Sequence, residues 1–296
     1  MYIFKIISQD QIPWEVMSMC YDHTVFKSKQ WADFLKEYYK VQPFVIAVSD
    51  KEQIIGYFYG QQIKRMGIKI VASPFEGWST SYQGLTMLSP ISINKRIDIY
   101  EELIPWLFKN KYCSFFQATD WQLEVPECAH RNINFELIKG YVLDLTLAEE
   151  ELYKNMSYSS VKYCINKANK NGVKINIAND IKQYAKDFYT QLSEVFVKQG
   201  LKPTHTEEQT YCMLNHTLPN QMIALFATDR EGNTIATAFY PYDGFFGFFS
   251  GAACFHSARN LYPNEPLMWE AIKELKNRGV KQMEFGGGRR YKENLS

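Results

Sequence analysis

A lysine-rich segment between Leu152 and Ile175 is the part of the sequence best suited to binding an anion. It has five lysines and no acidic residue, and it follows three successive glutamates. Several cations on one helix face would form a clamp for a phosphate or carboxylate group. An ordinary solvated helix whose acidic start and basic end match the helix dipole would have the same pattern. Both interpretations stay open for these lysines, at positions 154, 162, 167, 170 and 174.

A second candidate anion site lies near residue 290. Three glycines are followed there by Arg289, Arg290, Tyr291 and Lys292. Successive backbone N–H groups in a glycine-rich turn can form a nest for an anion, and flanking cations would strengthen it. A flexible basic tail would have the same composition. Arg289, Arg290 and Lys292 are therefore candidate substrate-binding residues.

Other kinds of catalytic site find no support in the sequence. The five histidines are scattered, with no serine–histidine–aspartate pattern and no metal-ligand spacing. The six cysteines include no Cys-x-x-Cys pair, which is typical of reduced thiols in a cytosolic protein. We therefore expect no metal site and no bound cofactor.

The elements that would position a site are clearest in the last third of the chain. Thr234–Tyr242 has the pattern of a strand. Asp243-Gly244 then predicts a type I′ turn into a second strand, Phe245–Cys254. A helix follows, with Gly279 as its left-handed cap. A final short strand completes a crossover, which implies parallel neighbours with ligand sites near their carboxyl ends.

Capping residues predict where other helices begin. The side chains of Ser, Thr and Asp can accept hydrogen bonds from the free N–H groups of a first helical turn. Four such residues precede helical patterns, namely Ser28, Thr146, Asp180 and Thr206. The two threonines also have a glutamate or glutamine three residues later, which is typical of a capping box.

Two segments of the chain resemble each other. Val45–Glu52 reads V-I-A-V-S-D-K-E, and Ala224–Glu231 reads A-L-F-A-T-D-R-E. In each half, strands precede a helix and a further strand, which an internal duplication would explain. Two ordinary hairpins could also be alike by chance. With a boundary near Leu145, the duplication predicts domains at residues 1–145 and 146–296.

The composition narrows the class of protein. The 296 residues are 46% hydrophobic and 22% charged, which is typical of a soluble globular protein of two domains. The net charge of +1 gives no global attraction to DNA. The N-terminus has no signal-peptide pattern, and the most hydrophobic window is too short and too interrupted to span a membrane. We therefore expect a cytoplasmic location, no membrane span and no DNA partner.

The lysine-rich segment resembles a motif of a known family. Lys162–Val173 is similar to the R-Y-x-I-x-x-A-x-K-x-G-V segment of Fem-type peptidyltransferases, which belong to the GNAT acyltransferase superfamily. Leu267–Gly287 resembles the family's helix followed by G-x-x-x-x-x-F-G-G. Phe26–Trp31 resembles its opening F-x-x-x-x-W. The three motifs occur in the family's order and together span most of the chain.

This resemblance implies a fold and an activity. The fold would be α/β (α+β), with tandem GNAT-like domains that each have a mixed, mostly antiparallel sheet flanked by helices. The activity would be transfer of an acyl or aminoacyl group to an amine. The donor substrate would be acyl-CoA or aminoacyl-tRNA, and tRNA would be a partner in the second case. The acceptor would be a small or nucleotide-linked precursor in peptidoglycan or polysaccharide biosynthesis.

The resemblance also implies substrate-binding residues. In the family a lysine near the first tryptophan contacts the acceptor's phosphates, and Lys36 is the candidate here. Lys162 and Tyr163 are the candidates in the second half. Lys162 stands where the family has arginine, so a two-pronged phosphate contact becomes a single charge. The family has a lysine on a strand after the Gly-Gly pair, whereas this sequence ends at Ser296, and we name no catalytic base.

One feature departs from GNAT proteins that bind acyl-CoA. Most of them have a glycine-rich turn before the central helix, where N–H groups hold the pyrophosphate. Here Pro263, Glu265 and Pro266 occupy that turn. This favours a Fem-type donor or a CoA site elsewhere. It also supports an alternative from another class, a non-catalytic GNAT-like protein that binds a glycan precursor or a partner protein.

Overall fold

The chain divides into two compact units, Met1–Ile138 (unit 1) and Lys139–Ser296 (unit 2). The structure, a computed structural model, describes residues 1–123 and 138–286. The division lies slightly before the expected boundary near Leu145. The strand Val142–Asp144 belongs to unit 2 because it pairs with Gln282–Glu284.

Unit 1 is built on a six-stranded sheet. Its strands are β1 (Tyr2–Ile7), β2 (Pro43–Asp50), β3 (Gln53–Arg65), β4 (Ile68–Ser73), β5 (Gly84–Met87) and β6 (Phe115–Ala118). The order is β1-β2-β3-β4-β6, and β5 pairs with the first part of β3. Neighbouring strands are antiparallel except β4 and β6, which are parallel and are connected through a helix, Ile93–Lys109.

Helices cover both faces of this sheet. They are α1 (Trp14–Ser18), α2 (Lys29–Tyr39) and α3 (Ile93–Lys109). Ile46 of β2 belongs to an apolar cluster with Leu103 of α3. The next residue, Ala47, belongs to a second cluster with Met17 and Ala32 of the other two helices. This alternation follows from the two-residue period of a strand, and it buries β2 on both sides.

Unit 2 contains two smaller sheets. Its strands are β7 (Val142–Asp144), β8 (Lys174–Ile177), β9 (Met222–Thr228), β10 (Thr234–Pro241), β11 (Phe246–Phe248), β12 (Gly251–Cys254) and β13 (Gln282–Glu284). The first sheet has the order β12-β10-β9-β8 and is antiparallel throughout. The second has the order β11-β13-β7, and its β11–β13 pair is parallel.

Five helices surround these sheets. They are α4 (Glu149–Asn155), α5 (Tyr163–Lys170), α6 (Ile181–Val197), α7 (Glu207–Thr217) and α8 (Asn264–Asn277). Leu152, Ile165 and Ala271 of α4, α5 and α8 share one apolar cluster with Ala238 of β10. Helix α6 packs on β10 through Phe188, whose ring lies 5.1 Å from that of Phe239. None of the described helices is long and apolar enough to cross a membrane.

Most of the predicted helix caps are confirmed. Ser28 and Asp180 accept backbone N–H bonds at the starts of α2 and α6, and Thr206 forms the expected capping box. The cap predicted at Thr146 is wrong. Helix α4 begins at Glu149 after Ala148, because the Thr146 hydroxyl instead donates to Asp144, at 2.7 Å.

The type I′ turn predicted at Asp243-Gly244 is also wrong. Neither residue has the positive φ that this turn requires. Asp243 Oδ1 instead accepts the backbone N–H groups of Phe245 and Phe246, both at 2.7 Å. The single strand predicted at Phe245–Cys254 is divided into β11 and β12, which pair with different strands.

Candidate functional site

The division between β11 and β12 opens unit 2 at the carboxyl ends of two parallel strands. β11 lies beside β13, and the backbone N–H of Phe249 still donates to Glu284 O at 2.8 Å. Two residues later the chain pairs with β10 instead, where Gly251 lies opposite Phe239. A Cβ on Gly251 would lie 2.5 Å from the Phe239 ring, so the change of partner requires glycine here.

The parted strand presents unused backbone donors. The backbone N–H of Phe255 donates to Ile235 O at 3.1 Å, which directs this residue and Ala253 towards β10. Because donors alternate along an antiparallel pair, the N–H groups of Ala252 and Cys254 point to the opposite edge. Ala252 is exposed. This edge can donate hydrogen bonds to a carbonyl oxygen, or to the oxyanion that forms from it.

A buried carboxylate belongs to β13, the strand from which β12 has parted. Glu284 is 7% exposed and ends β13, directly opposite Phe248 of β11. Its Oε1 lies 2.8 Å from the position of a Cβ on Gly140, so glycine makes room for the carboxylate there. Glu284 lies within the motif Leu267–Gly287, and the family resemblance implies no role for it. Its strand reads Gln-Met-Glu, so no local pattern marks this glutamate as a buried one.

A neutral histidine packs on the other side of the parted strand. The His205 ring lies 5.7 Å from both Phe188 and Phe239, and Phe239 is the residue against Gly251. Burial lowers the pKa of the His205 imidazole to about 4, so the ring is uncharged at neutral pH. The sequence gives no signal for this contact, because His205 belongs to none of the motifs.

The start of α8 is unsuited to phosphate. The residue at its N-cap position is Pro263, whose side chain accepts no hydrogen bond, and Pro266 has no N–H to donate. Burial raises the pKa of the Glu265 carboxyl above its ordinary value, although a hydrogen bond to a backbone N–H of its own residue lowers it. A partly desolvated carboxylate therefore lies where an acyl-CoA enzyme would hold pyrophosphate.

The Lys162 ammonium has partners within unit 2. Its Nζ donates to Lys154 O at 2.7 Å and lies 5.7 Å from the centre of the Tyr153 ring. That ring packs against Trp269 of α8, at 5.4 Å. Lys162 thus satisfies a carbonyl in the last turn of α4, and an anion contact by the same group stays a prediction.

Tyr163, the next residue, faces solvent. Its side chain is 44% exposed, and its ring meets that of Tyr262 edge-on at 5.9 Å. Lys167 Nζ lies 5.6 Å from the centre of the Tyr163 ring. The structure therefore places an exposed aromatic group and a cation side by side just before α8 begins.

The other predicted site residues lie elsewhere. Lys36 is exposed on α2 of unit 1. Arg289, Arg290 and Lys292 lie outside the described residues. Lys162 and Tyr163 are consecutive residues whose side chains contact different partners, Tyr153 and Tyr262, so a shared substrate site stays a prediction.

Unit 1 also has a parallel strand pair, but it does not open. β4 and β6 pair as far as Ser73 and Ala118, and the Thr119 N–H then donates to Ser73 O at 2.8 Å. β5 fills the place beside β3, where the Gly84 N–H donates to Ser73 Oγ at 2.6 Å.

A buried ionic network holds β5 in that place. Arg96 of α3 donates to Asp22 Oδ2 at 2.6 Å, to Asp120 Oδ2 at 2.7 Å and to Leu85 O at 2.7 Å. The side chains of Arg96, Asp22 and Asp120 are at most 2% exposed. Burial disfavours the charged guanidinium, but Asp120 and Asp22 more than compensate and raise the pKa of Arg96.

Comparison with known proteins identifies the fold. No protein-family model matches the sequence, and no curated protein matches it. The crystal structure of FemX matches with a TM-score of 0.69 at 10% identity, over 97% of this chain and 89% of that one. A protein of unknown function from Bacteroides thetaiotaomicron VPI-5482 matches with a TM-score of 0.61 at 12% identity, over 100% and 95%.

A third solved structure extends this likeness. L-PGS from Bacillus licheniformis matches with a TM-score of 0.52 at 11% identity, over 88% of this chain and 75% of that one. The chain therefore has a FemX-like fold, as the sequence motifs led us to expect. At these identities the likeness concerns the fold, and the reaction of this chain is a matter for proposal.

Proposed function

We propose that this protein transfers an acyl or aminoacyl group from an activated donor to an amine. The observation that carries the proposal is the parting of β12 from β13, which leaves an open strand edge at the exposed Ala252 in a FemX-like fold. An open strand edge that can donate N–H groups suits acyl transfer better than hydrolysis at a metal or by a catalytic triad.

The chemistry asks little of the protein beyond positioning. The donor is an ester or thioester, so an uncharged amine held beside its carbonyl carbon can form the new C–N bond. The N–H groups of the open edge would stabilise the tetrahedral oxyanion. Glu284 is our candidate to accept the amine proton, and the leaving hydroxyl or thiol takes up a proton as the C–O or C–S bond breaks.

The start of α8 bears on the choice of donor. Glu265 and the two prolines disfavour CoA pyrophosphate there, which supports aminoacyl-tRNA or an acyl-CoA held elsewhere. The proposed acceptor is an amine of a cell-wall or polysaccharide precursor, with its anionic part near Lys36, Lys162 or Tyr163. We place the reaction in the cytoplasm, where both kinds of donor are made.

Mass spectrometry of candidate acceptors tests the proposal directly. The chain would be incubated with charged tRNA or acetyl-CoA, together with UDP-linked amino sugars or muropeptides. We expect one acceptor to gain the mass of the donor group, and the Glu284→Gln variant to slow that gain. If no amine acceptor gains mass with either donor, the transferase proposal is wrong.

The same α8 start favours one alternative, a non-catalytic protein that binds a glycan precursor or a partner protein. Such a protein would need an acceptor site but no donor site. Thermal-shift measurements separate the two functions. Stabilisation by acceptors alone, and never by CoA or tRNA, would favour the binding protein.

A further inference from the structure

One end of the unit 1 sheet carries an exposed surface of mixed character, which we call the basic-apolar tip. It consists of the β3–β4 hairpin, residues 63–70, and the α3–β6 connection, residues 108–115. The two segments are tied together, because Lys69 Nζ donates to Lys111 O at 3.1 Å and the Ser114 N–H donates to Lys69 O at 2.7 Å.

The tip is strongly and uniformly positive. Residues 61–74 and 103–119 contain no aspartate or glutamate. Their five cations are Lys64, Arg65, Lys69, Lys109 and Lys111. None of these five makes an ion pair with any residue that the structure describes. The whole chain has a net charge of only +1, so this positive surface is local.

Large apolar side chains project from the same tip. Met66 is 95% exposed, Phe115 51%, Ile68 50% and Phe108 43%. The strand register places Ile63, Ile70 and Phe115 side by side on one face, and Ile68 lies opposite Arg65 on that face. Cations therefore border an apolar surface, and that surface ends at Met66 in the turn of the hairpin.

Two features of the tip weaken the fold locally. Met66 and Gly67 form the turn with φ of 49° and 83°, and a bulky residue is strained at such a φ, where asparagine is preferred. Lys64 lies directly opposite Lys69, and like charges across a strand pair are destabilising. Neither the positive φ of Met66 nor the Lys64–Lys69 pair contributes to the core. Residues that cost stability without packing the core indicate a role at the surface.

We propose that the basic-apolar tip binds the surface of an anionic lipid bilayer. Met66 and Ile68 would enter the boundary between head groups and acyl chains, and the five cations would meet anionic head groups. A polynucleotide would pair with the cations but would leave the side chains of Met66 and Ile68 in water. The observations therefore favour a lipid surface. This proposal does not depend on the transferase activity.

Vesicle sedimentation tests the proposal with the full chain. We expect binding to phosphatidylcholine vesicles that contain phosphatidylglycerol, weak binding to phosphatidylcholine alone, and loss of binding at high salt. Lys64→Glu changes the charge by two and should weaken binding about 25-fold, at about fivefold per charge. Met66→Asn should weaken it about tenfold, because an inserted apolar side chain is lost.

These two variants also exclude unfolding as the cause. Lys64→Glu places opposite charges across the hairpin, and asparagine adopts a positive φ more readily than methionine, so both should melt no lower than the wild type. Matched controls are Met19→Asn, where Met19 is 74% exposed, and Lys51→Glu at another hairpin turn with φ of 56°. Both controls should bind vesicles as the wild type does.

The proposal fails if the wild type does not sediment with anionic vesicles at low salt. It fails equally if Lys64→Glu and Met66→Asn bind vesicles as tightly as the controls do. Titration with tRNA completes the test. If the wild type binds tRNA but not vesicles, and the Lys64→Glu variant no longer binds tRNA, the tip is a nucleic-acid site instead.

Discussion

At the scale of single residues, Glu284 is the group whose position most invites a chemical role. It ends β13 at the point where β11 and β12 change partners, and its carboxylate is buried against Gly140. A carboxylate that the fold holds in a fixed position can accept a proton from a reacting amine beside it.

We predict that Glu284→Gln lowers kcat at least about 100-fold and changes KM little, because glutamine keeps the shape but cannot accept a proton. Steady-state kinetics with the acceptor found by mass spectrometry would measure this. Glu270→Gln, on the outer part of α8, is the control and should keep wild-type kcat. Equal activity in Glu284→Gln and the control would remove Glu284 from the mechanism.

Glu265 should make stability depend on pH. Its pKa is raised in the folded state by burial, so the folded form loses stability as pH rises through that pKa. We predict that Glu265→Gln raises Tm at pH 7, and that the difference shrinks as pH falls to the ordinary range for a glutamate. Calorimetry across this pH range would show it. A difference that grows towards low pH would contradict the burial argument.

At the scale of elements, β5 depends on an ionic network from α3. Asp22 accepts hydrogen bonds from Arg96 Nη1 at 2.6 Å and from the Met87 N–H at 2.7 Å, and so joins helix to strand. Lys27 lies in the same network, with its Nζ 2.8 Å from Leu85 O. Removing one member would leave buried charge without its partner.

We predict that Asp22→Ala lowers the free energy of unfolding by about 3 to 5 kcal/mol, the usual cost of breaking a buried ion pair. Urea denaturation would measure this loss. The control is Asp50→Ala, which removes a pair with Lys95 at 3.3 Å whose side chains are 43% and 39% exposed. That change should cost less than about 1 kcal/mol. Similar losses in both variants would argue against the network's importance.

Lys162 connects the end of α4 to α5. We predict that Lys162→Met lowers the free energy of unfolding by about 1 kcal/mol, because Lys154 O loses its charged donor. Lys167→Met, which removes a surface cation near Tyr163, should cost less. If Lys162 also binds the acceptor's anion, KM rises while kcat holds. An unchanged KM and Tm would show that the group serves neither purpose.

At the scale of the whole molecule, each unit has its own apolar cores. The large cluster of unit 2 extends from Leu143 to Phe285, and among the described residues of unit 1 one cluster lies on each face of the sheet. Units with separate cores can unfold in separate steps.

We predict that Asp22→Ala separates these steps. Five of the six tryptophans lie in unit 1 (14, 31, 78, 106 and 121), so fluorescence mainly reports that unit. Far-UV circular dichroism also reports the helices of unit 2. In urea, the fluorescence transition should move to lower concentration while a later circular-dichroism transition remains. Coincident transitions in the variant would mean that the units unfold together.

The pairing pattern also supports internal duplication, which we propose for the two units. In unit 1, antiparallel β1 to β4 are followed by α3 and the parallel strand β6. In unit 2, the antiparallel strands β8, β9, β10 and β12 are followed by α8 and by β13, which is parallel to β11. The similar segments at Val45–Glu52 and Ala224–Glu231 run into matching turns, those after β2 and β9.

Much of the local structure could be predicted because its causes lie within a few residues. Ser28, Asp180 and Thr206 cap helices through their own side chains, and Gly279 takes a φ of 83° after α8. Prediction failed at Asp243, whose own N–H donates to Phe246 O while its carboxylate accepts the N–H groups of Phe245 and Phe246. It also failed at Thr146, whose hydroxyl donates to the nearby Asp144 instead of capping the helix.

The sequence by itself determined the α/β class, most helix starts and the Fem-like motif order, since these depend on short-range patterns. The tertiary structure alone decided that one predicted strand serves two sheets and that Glu284 is buried against Gly140. It also decided that Lys162 bonds to its neighbouring helix. Such outcomes depend on contacts between residues far apart in the chain, or on competition between partners, and no local pattern records them.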